Sequence, residues 1–112
     1  PVVSPDDENF EGGPRPGAVL PNARVGDGFL SDLLGGGFSL IAFSKEVADL
    51  LADLDFTRVV LQPGSEAAEV LAASAGSAYL VRPDMHIAAR WQTASPEAIR
   101  QALELAVAGG KA

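Results

Sequence analysis

The sequence predicts an α/β fold in which a central mixed β-sheet is flanked by helices, and three features of the chain predict it. The first is a nearly all-apolar run from Phe38 to Phe43, the composition of a strand covered on both faces. The second is an alternation of helix and strand patterns on either side of that run and up to Gly76. The third is the segment Tyr79 to Trp91, which reads as a β-hairpin and is followed by a capped helix. The resulting order is βαβ-α-ββ-α.

Each element has a local reason. Phe38 to Phe43 is the expected central strand. Ser44 follows as an N-cap, and Val47, Leu50, Leu51 and Leu54 recur at helical spacing, with Lys45, Glu46, Asp49 and Asp53 on the wet side. Thr57 to Gln62 is a second strand centred on Val59, Val60 and Leu61. Phe38 to Gln62 is therefore a βαβ crossover with parallel strands and a right-handed connection. Ser65 opens a helix through Glu66, Glu69, Val70 and Leu71 that is expected to end at Gly76, a residue suited to the left-handed conformation. The hairpin arms are Tyr79 to Arg82 and His86 to Trp91, with Pro83 and Asp84 at the turn. In the second arm Ile87, Ala89 and Trp91 are expected to point one way and His86, Ala88 and Arg90 the other, so that one face meets the core and one meets solvent or a partner. Ser95 caps a last helix with Pro96 at its first position and Glu97 in its first turn. Ile99, Leu103 and Val107 make its buried stripe, and Gly109 and Gly110 end it.

Upstream of these elements the chain is less regular. Residues 1–16 read as a linker, an excised boundary or a disordered arm, because prolines, glycines and the acids Asp6, Asp7, Glu8 and Glu11 bury little apolar surface. The ordered domain is expected over 17–112. From Gly17 to Gly28 the pattern suits a small hairpin or an irregular edge strand. Ser31 is expected to cap a single turn through Leu34, which Gly35, Gly36 and Gly37 then stop.

At 112 residues the chain is one domain, with 47% hydrophobic and 21% charged residues, an ordinary globular composition. Its net charge of -7 would be repelled by a phosphate backbone or an anionic membrane, which excludes nucleic acid as an expected partner. No apolar run approaches the roughly 18 residues of a membrane span, and no basic-then-apolar leader opens the sequence. A cytoplasmic location is expected.

The element order is the layout of a thioredoxin-like domain, yet the chain has no cysteine. Ser44-Lys45-Glu46-Val47 stands where an active thioredoxin carries its paired cysteines at a helix N-terminus, and no proline directly precedes Ala78-Tyr79. Disulfide chemistry is thereby excluded. Pro16-Gly-Ala-Val-Leu-Pro-Asn-Ala-Arg-Val, Leu30-Ser-Asp-Leu-Leu-Gly, Gly37-Phe-Ser-Leu-Ile-Ala-Phe, Leu80-Val-Arg-Pro-Asp and Ile87-Ala-Ala-Arg-Trp together resemble the C-terminal thioredoxin-like domain of FAD-dependent aromatic hydroxylases. These are flavoprotein monooxygenases of the phenol hydroxylase and 3-(3-hydroxyphenyl)propionate hydroxylase type. The resemblance spans roughly Pro16 to Val107. It implies a parent enzyme that uses FAD and NAD(P)H, with flavin and aromatic substrate bound in earlier domains. It also implies an accessory domain that packs outside the active site, against the preceding flavin-binding domain, and in some members joins a homodimer interface. Met85 departs from the family's glycine in the Arg-Pro-Asp-Gly turn, which implies a different turn or modest strain.

No residue set supplies chemistry inside this segment. Ser44 has no base beside it and reads as a helix cap. Gly26-Asp27-Gly28-Phe29-Leu30-Ser31 imitates the start of a dinucleotide loop but follows no convincing strand and ends in serine, so no cofactor site is expected here. His86 is the only histidine and makes no metal site. Arg82, Asp84, His86, Arg90 and Trp91 are the candidate interface residues, either a solvated charge cluster beside a core tryptophan or a docking surface. Three readings follow. The first is a non-catalytic, redox-inactive C-terminal accessory domain of an aromatic-ring monooxygenase. The second is a free-standing cysteine-less thioredoxin-like protein-binding module. The third, a small enzyme with Asp84 and His86 as an acid-base pair, lacks a substrate pocket in the sequence pattern.

Overall fold

The computed structural model describes residues 10, 12–25, 27–34, 37–50 and 57–110, with side chains described as far as residue 105. Its central strand is β3 (Ser39–Ala42), buried at all four positions, as the apolar run predicts. Two short strands precede it, β1 (Arg24–Val25) and β2 (Gly28–Phe29), paired antiparallel as a minimal hairpin. A 3-10 turn at Leu30–Leu33 follows. Its entry is fixed by the Asp32 carboxylate, which accepts from the Phe29 N–H at 3.0 Å, so Phe29 and not Ser31 occupies the cap position.

Strand β3 leads into α1 (Lys45–Ala48), capped by Ser44, whose hydroxyl accepts from the Val47 N–H at 3.3 Å. The expected helical positions Leu51 and Leu54 lie outside the described residues. Strand β4 (Thr57–Val60) runs parallel to β3, in register Ser39 to Thr57 and Ala42 to Val60. Strands β5 (Ala78–Val81) and β6 (Ile87–Trp91) complete a four-stranded sheet in the order β4-β3-β5-β6, with β5 antiparallel to both of its neighbours. This is the thioredoxin-like arrangement: a parallel crossover pair joined to an antiparallel hairpin.

Both faces of the sheet are covered. On one face Leu40, Ala42, Ala78, Leu80 and Ala89 meet α1 and the long helix α3 (Pro96–Gly110), which buries Ile99 and Ala102. Ser95 caps α3 by accepting from the Ala98 N–H at 3.2 Å. The helix includes Gly109 and Gly110, so it does not end before them as expected; the Val107 side chain lies outside the described residues. On the opposite face Ile41, Phe43, Tyr79 and Val81 meet α2 (Glu66–Val70) together with Phe10, Leu20, Ala23 and Leu30. Phe10 lies inside the stretch read as a linker from its composition. It is nevertheless 5% exposed and packs edge-on against Tyr79, with ring centroids 5.4 Å apart.

Helix α2 is capped by Ser65, which accepts from the Ala68 N–H, but it ends earlier than the sequence suggests. Ala72 takes the left-handed conformation at φ 54°, with Ala73 N–H bonded to Ala68 O and Ala72 N–H to Glu69 O. This is a Schellman terminus with alanine in the place glycine normally fills, so Gly76 is not the stop. The Tyr79 hydroxyl, fully buried, donates to the Leu71 carbonyl at 2.6 Å and satisfies one of the acceptors the helix end leaves open.

Replacing Ala72 with glycine removes the left-handed cost of a Cβ. Ala72→Gly should stabilise the chain by about 1 kcal/mol, a rise in midpoint on the order of 4 °C in thermal unfolding. Tyr79→Phe should act oppositely. It strips a buried carbonyl of a donor and should cost about 1 to 3 kcal/mol in a urea titration.

Candidate functional site

The hairpin turn collects three of the five residues singled out from the sequence. The Arg82 carbonyl accepts from the Met85 N–H at 3.0 Å, and the Arg82 N–H donates to the His86 carbonyl at 2.8 Å, so Pro83, Asp84 and Met85 form a three-residue loop. Such loops place their last residue in the left-handed region. Met85 does so at φ 70°, the modest strain expected where the family has glycine. Asp84 stabilises the turn by accepting from the His86 N–H at 3.1 Å, and its other oxygen takes the Arg82 Nη2 at 2.6 Å. His86 Nδ1 lies 3.3 Å from the Asp84 carboxylate.

Loss of solvent around the Asp84 carboxyl pushes its pKa up. The His86 backbone N–H and the charges of Arg82 and His86 outweigh this and hold the group below its ordinary 3.8. The cluster is a surface one, with side-chain exposures of 22% for Arg82, 39% for His86 and 47% for Asp84. An open turn with an ionised aspartate does not assemble an acid-base pair around a reacting atom.

Arg90 does not belong to that outer cluster. Strands β5 and β6 pair Ala78 with Trp91, Tyr79 with Arg90, Leu80 with Ala89 and Val81 with Ile87, so Ala88 is an extra residue in β6. This bulge breaks the simple alternation read from the sequence. Ile87 packs with Tyr79 on one face of the sheet, whereas Ala88 and Ala89 both pack with Leu80 and α3 on the other. Arg90 is 2% exposed. Its guanidinium carbon lies 4.3 Å from the centre of the Phe10 ring, and its Nη1 donates to the Gly12 carbonyl at 2.6 Å. Trp91, half-buried, bridges the two clusters on the α1 and α3 face. Neither face of β6 is an open surface. The structural roles of Phe10 and Gly12 had no periodic signal in the sequence; a single phenylalanine among acids and prolines was the only trace.

A concavity of about 350 Å³ opens where the end of β4 meets β1 and the start of α2, lined in part by Arg24, Val25, Val60, Gln62, Ser65 and Glu66. Val60 is 48% exposed there. The one hydroxyl among its described lining residues, Ser65, accepts from the Ala68 N–H as the cap of α2, and among the described residues no group of His, Asp and Glu could hold a metal ion. The dinucleotide-like loop does not fit a flavin pyrophosphate. Gly28 lies in β2, the Phe29 N–H is already taken by the Asp32 carboxylate, and that carboxylate would repel a phosphate. Ser44 Oγ is likewise committed to its cap.

Against this geometry, a family model for aromatic-ring hydroxylase C-terminal domains matches residues 13–108. The chain belongs to that family. Solved structures agree in fold. A ternary complex of aklavinone-11 hydroxylase with FAD and aklavinone superposes over 93% of the chain at 23% identity and a TM-score of 0.61. The flavin-dependent monooxygenase PieE, in complex with FAD and substrate, is similar over 93% of the chain at 26% identity and a TM-score of 0.57. The rebeccamycin biosynthetic enzyme RebC with reduced flavin covers 81% at 27% identity and a TM-score of 0.52. The chain spans only 24%, 23% and 18% of those three proteins. Among curated proteins no sequence matches it. In this hydroxylase C-terminal domain no described helix is long and apolar enough to cross a membrane.

The depressed Asp84 pKa has a definite sign. A carboxyl whose folded pKa lies below its unfolded value contributes stability that is present above the unfolded value and lost as pH falls through the folded one. The Asp84→Asn chain should therefore melt below the unsubstituted chain at about pH 6, and the gap should narrow as pH falls below the ordinary carboxyl value of 3.8, as thermal unfolding across that range will read.

Proposed function

We propose that this domain is a non-catalytic, redox-inactive accessory domain at the C-terminus of an FAD- and NAD(P)H-dependent aromatic-ring monooxygenase of the cytoplasm. It acts in assembly, dimerisation or stability. The observation that carries this reading is the family match over residues 13–108, nearly the whole described fold. The chemistry of the chain supports it. There is no cysteine to perform thiol exchange, and Ser44, at the thioredoxin position, is spent on capping α1. The described Asp27 to Ser31 loop offers no pyrophosphate cradle, so flavin and NAD(P)H belong to preceding domains of the parent. A net charge of -7 argues against nucleic acid and anionic membrane as partners.

Docking onto the flavin-binding domain or a second subunit is assigned to the exposed turn carrying Arg82, Asp84 and His86; Trp91 lies at the far end of β6, packed on the α1 and α3 face. Arg90 acts behind that surface, since its side chain is enclosed.

The experiment is capture, from the native cells, of the polypeptide that carries Arg82-Pro83-Asp84-Met85-His86, followed by intact mass and visible absorption. A chain several times larger with a flavin spectrum is expected. A colourless chain of this length would overturn the reading and leave the independent binding module. In the larger polypeptide, removal of residues from Gly17 onward should leave flavin bound but reduce solubility or change the oligomeric state. Unchanged behaviour would remove the accessory role.

A further inference from the structure

The sheet has two edge strands, β4 and β6, and the structure treats them differently. Along β6 the N-terminal segment runs antiparallel to the strand. Gly17 N–H donates to Ile87 O at 2.7 Å, Ile87 N–H to Ala18 O at 2.8 Å and Leu20 N–H to Met85 O at 2.8 Å. Val19 and His86 face each other as a bridge pair. Farther along, Gly12 O takes the Arg90 guanidinium, and Phe10 lies between that guanidinium and Tyr79. The segment is tightly fitted at Gly13, where a Cβ would sit 2.7 Å from Leu71 O and 2.9 Å from the Tyr79 hydroxyl. Gly12 and Gly13 both take positive φ, at 75° and 67°. Pro14 and Pro16 have no N–H to offer a further strand.

We propose that Phe10 and residues 12–20 form an anchoring strap, in which Phe10 plugs the gap between Tyr79 and Arg90 and fixes the path by which the polypeptide enters the domain. The strap does two things. It covers the start of the β6 edge at Ile87, and it couples whatever precedes Phe10 to the β5–β6 hairpin whose tip carries Arg82, Asp84 and His86. The point at which the polypeptide enters the fold would then be set by this core. The inference concerns this chain's own path and stands apart from the flavoenzyme reading: the strap holds or fails whatever the parent's activity.

The test is backbone 15N relaxation on the full 112-residue chain. The amides of Gly12, Gly13 and Gly17 are expected to show order parameters near 0.85, matching β3 and β5. In Phe10→Ala those of Gly12 and Gly13 should fall below about 0.6 while β3 and β5 keep theirs. Should Phe10→Ala fail to fold, Arg90→Lys serves instead: it keeps the charge but loses the planar group that covers Phe10 while reaching Gly12 O, and the same loosening is expected. Mobile strap amides in the unsubstituted chain, or a strap as rigid in the variant as without it, would overturn the proposal.

Discussion

A sheet whose two central strands are buried at every position must be covered on both faces, and most of this structure follows from that constraint. Strands β3 and β5 present no exposed residue. One face is covered conventionally by α1 and α3. The other has the five-residue helix α2, which contributes Ala67, Ala68 and its C-cap residue Leu71, with Leu61 after β4. These are few large side chains to set against Ile41, Phe43, Tyr79 and Val81, and apolar area left in water costs roughly 25 cal/mol per Å². The deficit is made up from the irregular N-terminal segment, which supplies Leu20, Ala23, Leu30 and Phe10. What composition alone reads as a tether thus includes a residue of the core.

The same constraint explains the hairpin. If β6 alternated regularly, Arg90 would lie on the same side as Ala88. The extra residue at Ala88 changes the phase and brings Arg90 to the face where Phe10 and the Gly12 carbonyl wait. A guanidinium enclosed in this way needs such partners, because its charge has left water and only directed hydrogen bonds and the face of an aromatic ring compensate. The bulge, the buried arginine and the N-terminal aromatic therefore form one arrangement. Removing any of them would leave the others without their reason.

Where the sequence was legible, a local rule decided the outcome. Phe38 to Phe43 could only be a strand covered twice, and Ser44, Ser65 and Ser95 each bond the backbone N–H three residues on. The Pro83-Asp84 turn and the strain at Met85 followed from loop chemistry, and the family resemblance followed from the order and spacing of short motifs. Where it was not legible, a distant contact overrode the local preference. Nothing near Ala72 announces a left-handed alanine; Gly76 was the better local stop, yet Ala73 and Ala72 find their acceptors first. Nothing in β6 itself marks Ala88 as a bulge. The partners of Arg90 lie 78 residues away at Gly12, beyond the reach of any periodicity.

These features bear on what a thioredoxin-like scaffold does without its thiols. In the redox form of the fold the residues after the central strand carry the chemistry, and the helix N-terminus is kept available to a thiolate. Here Ser44 closes that terminus with its own hydroxyl. At the opposite end of the sheet, Arg82, Asp84 and His86 are tied to one another by the hairpin turn. Exposed ion pairs of this kind add little to stability, about 0 to 1 kcal/mol. What they fix is the local geometry of the turn, through the contacts of Asp84 with Arg82 and with the His86 N–H. The scaffold thus commits the position after its central strand to capping α1, its second face to burying the incoming chain, and its strained turn to holding three ionisable groups together.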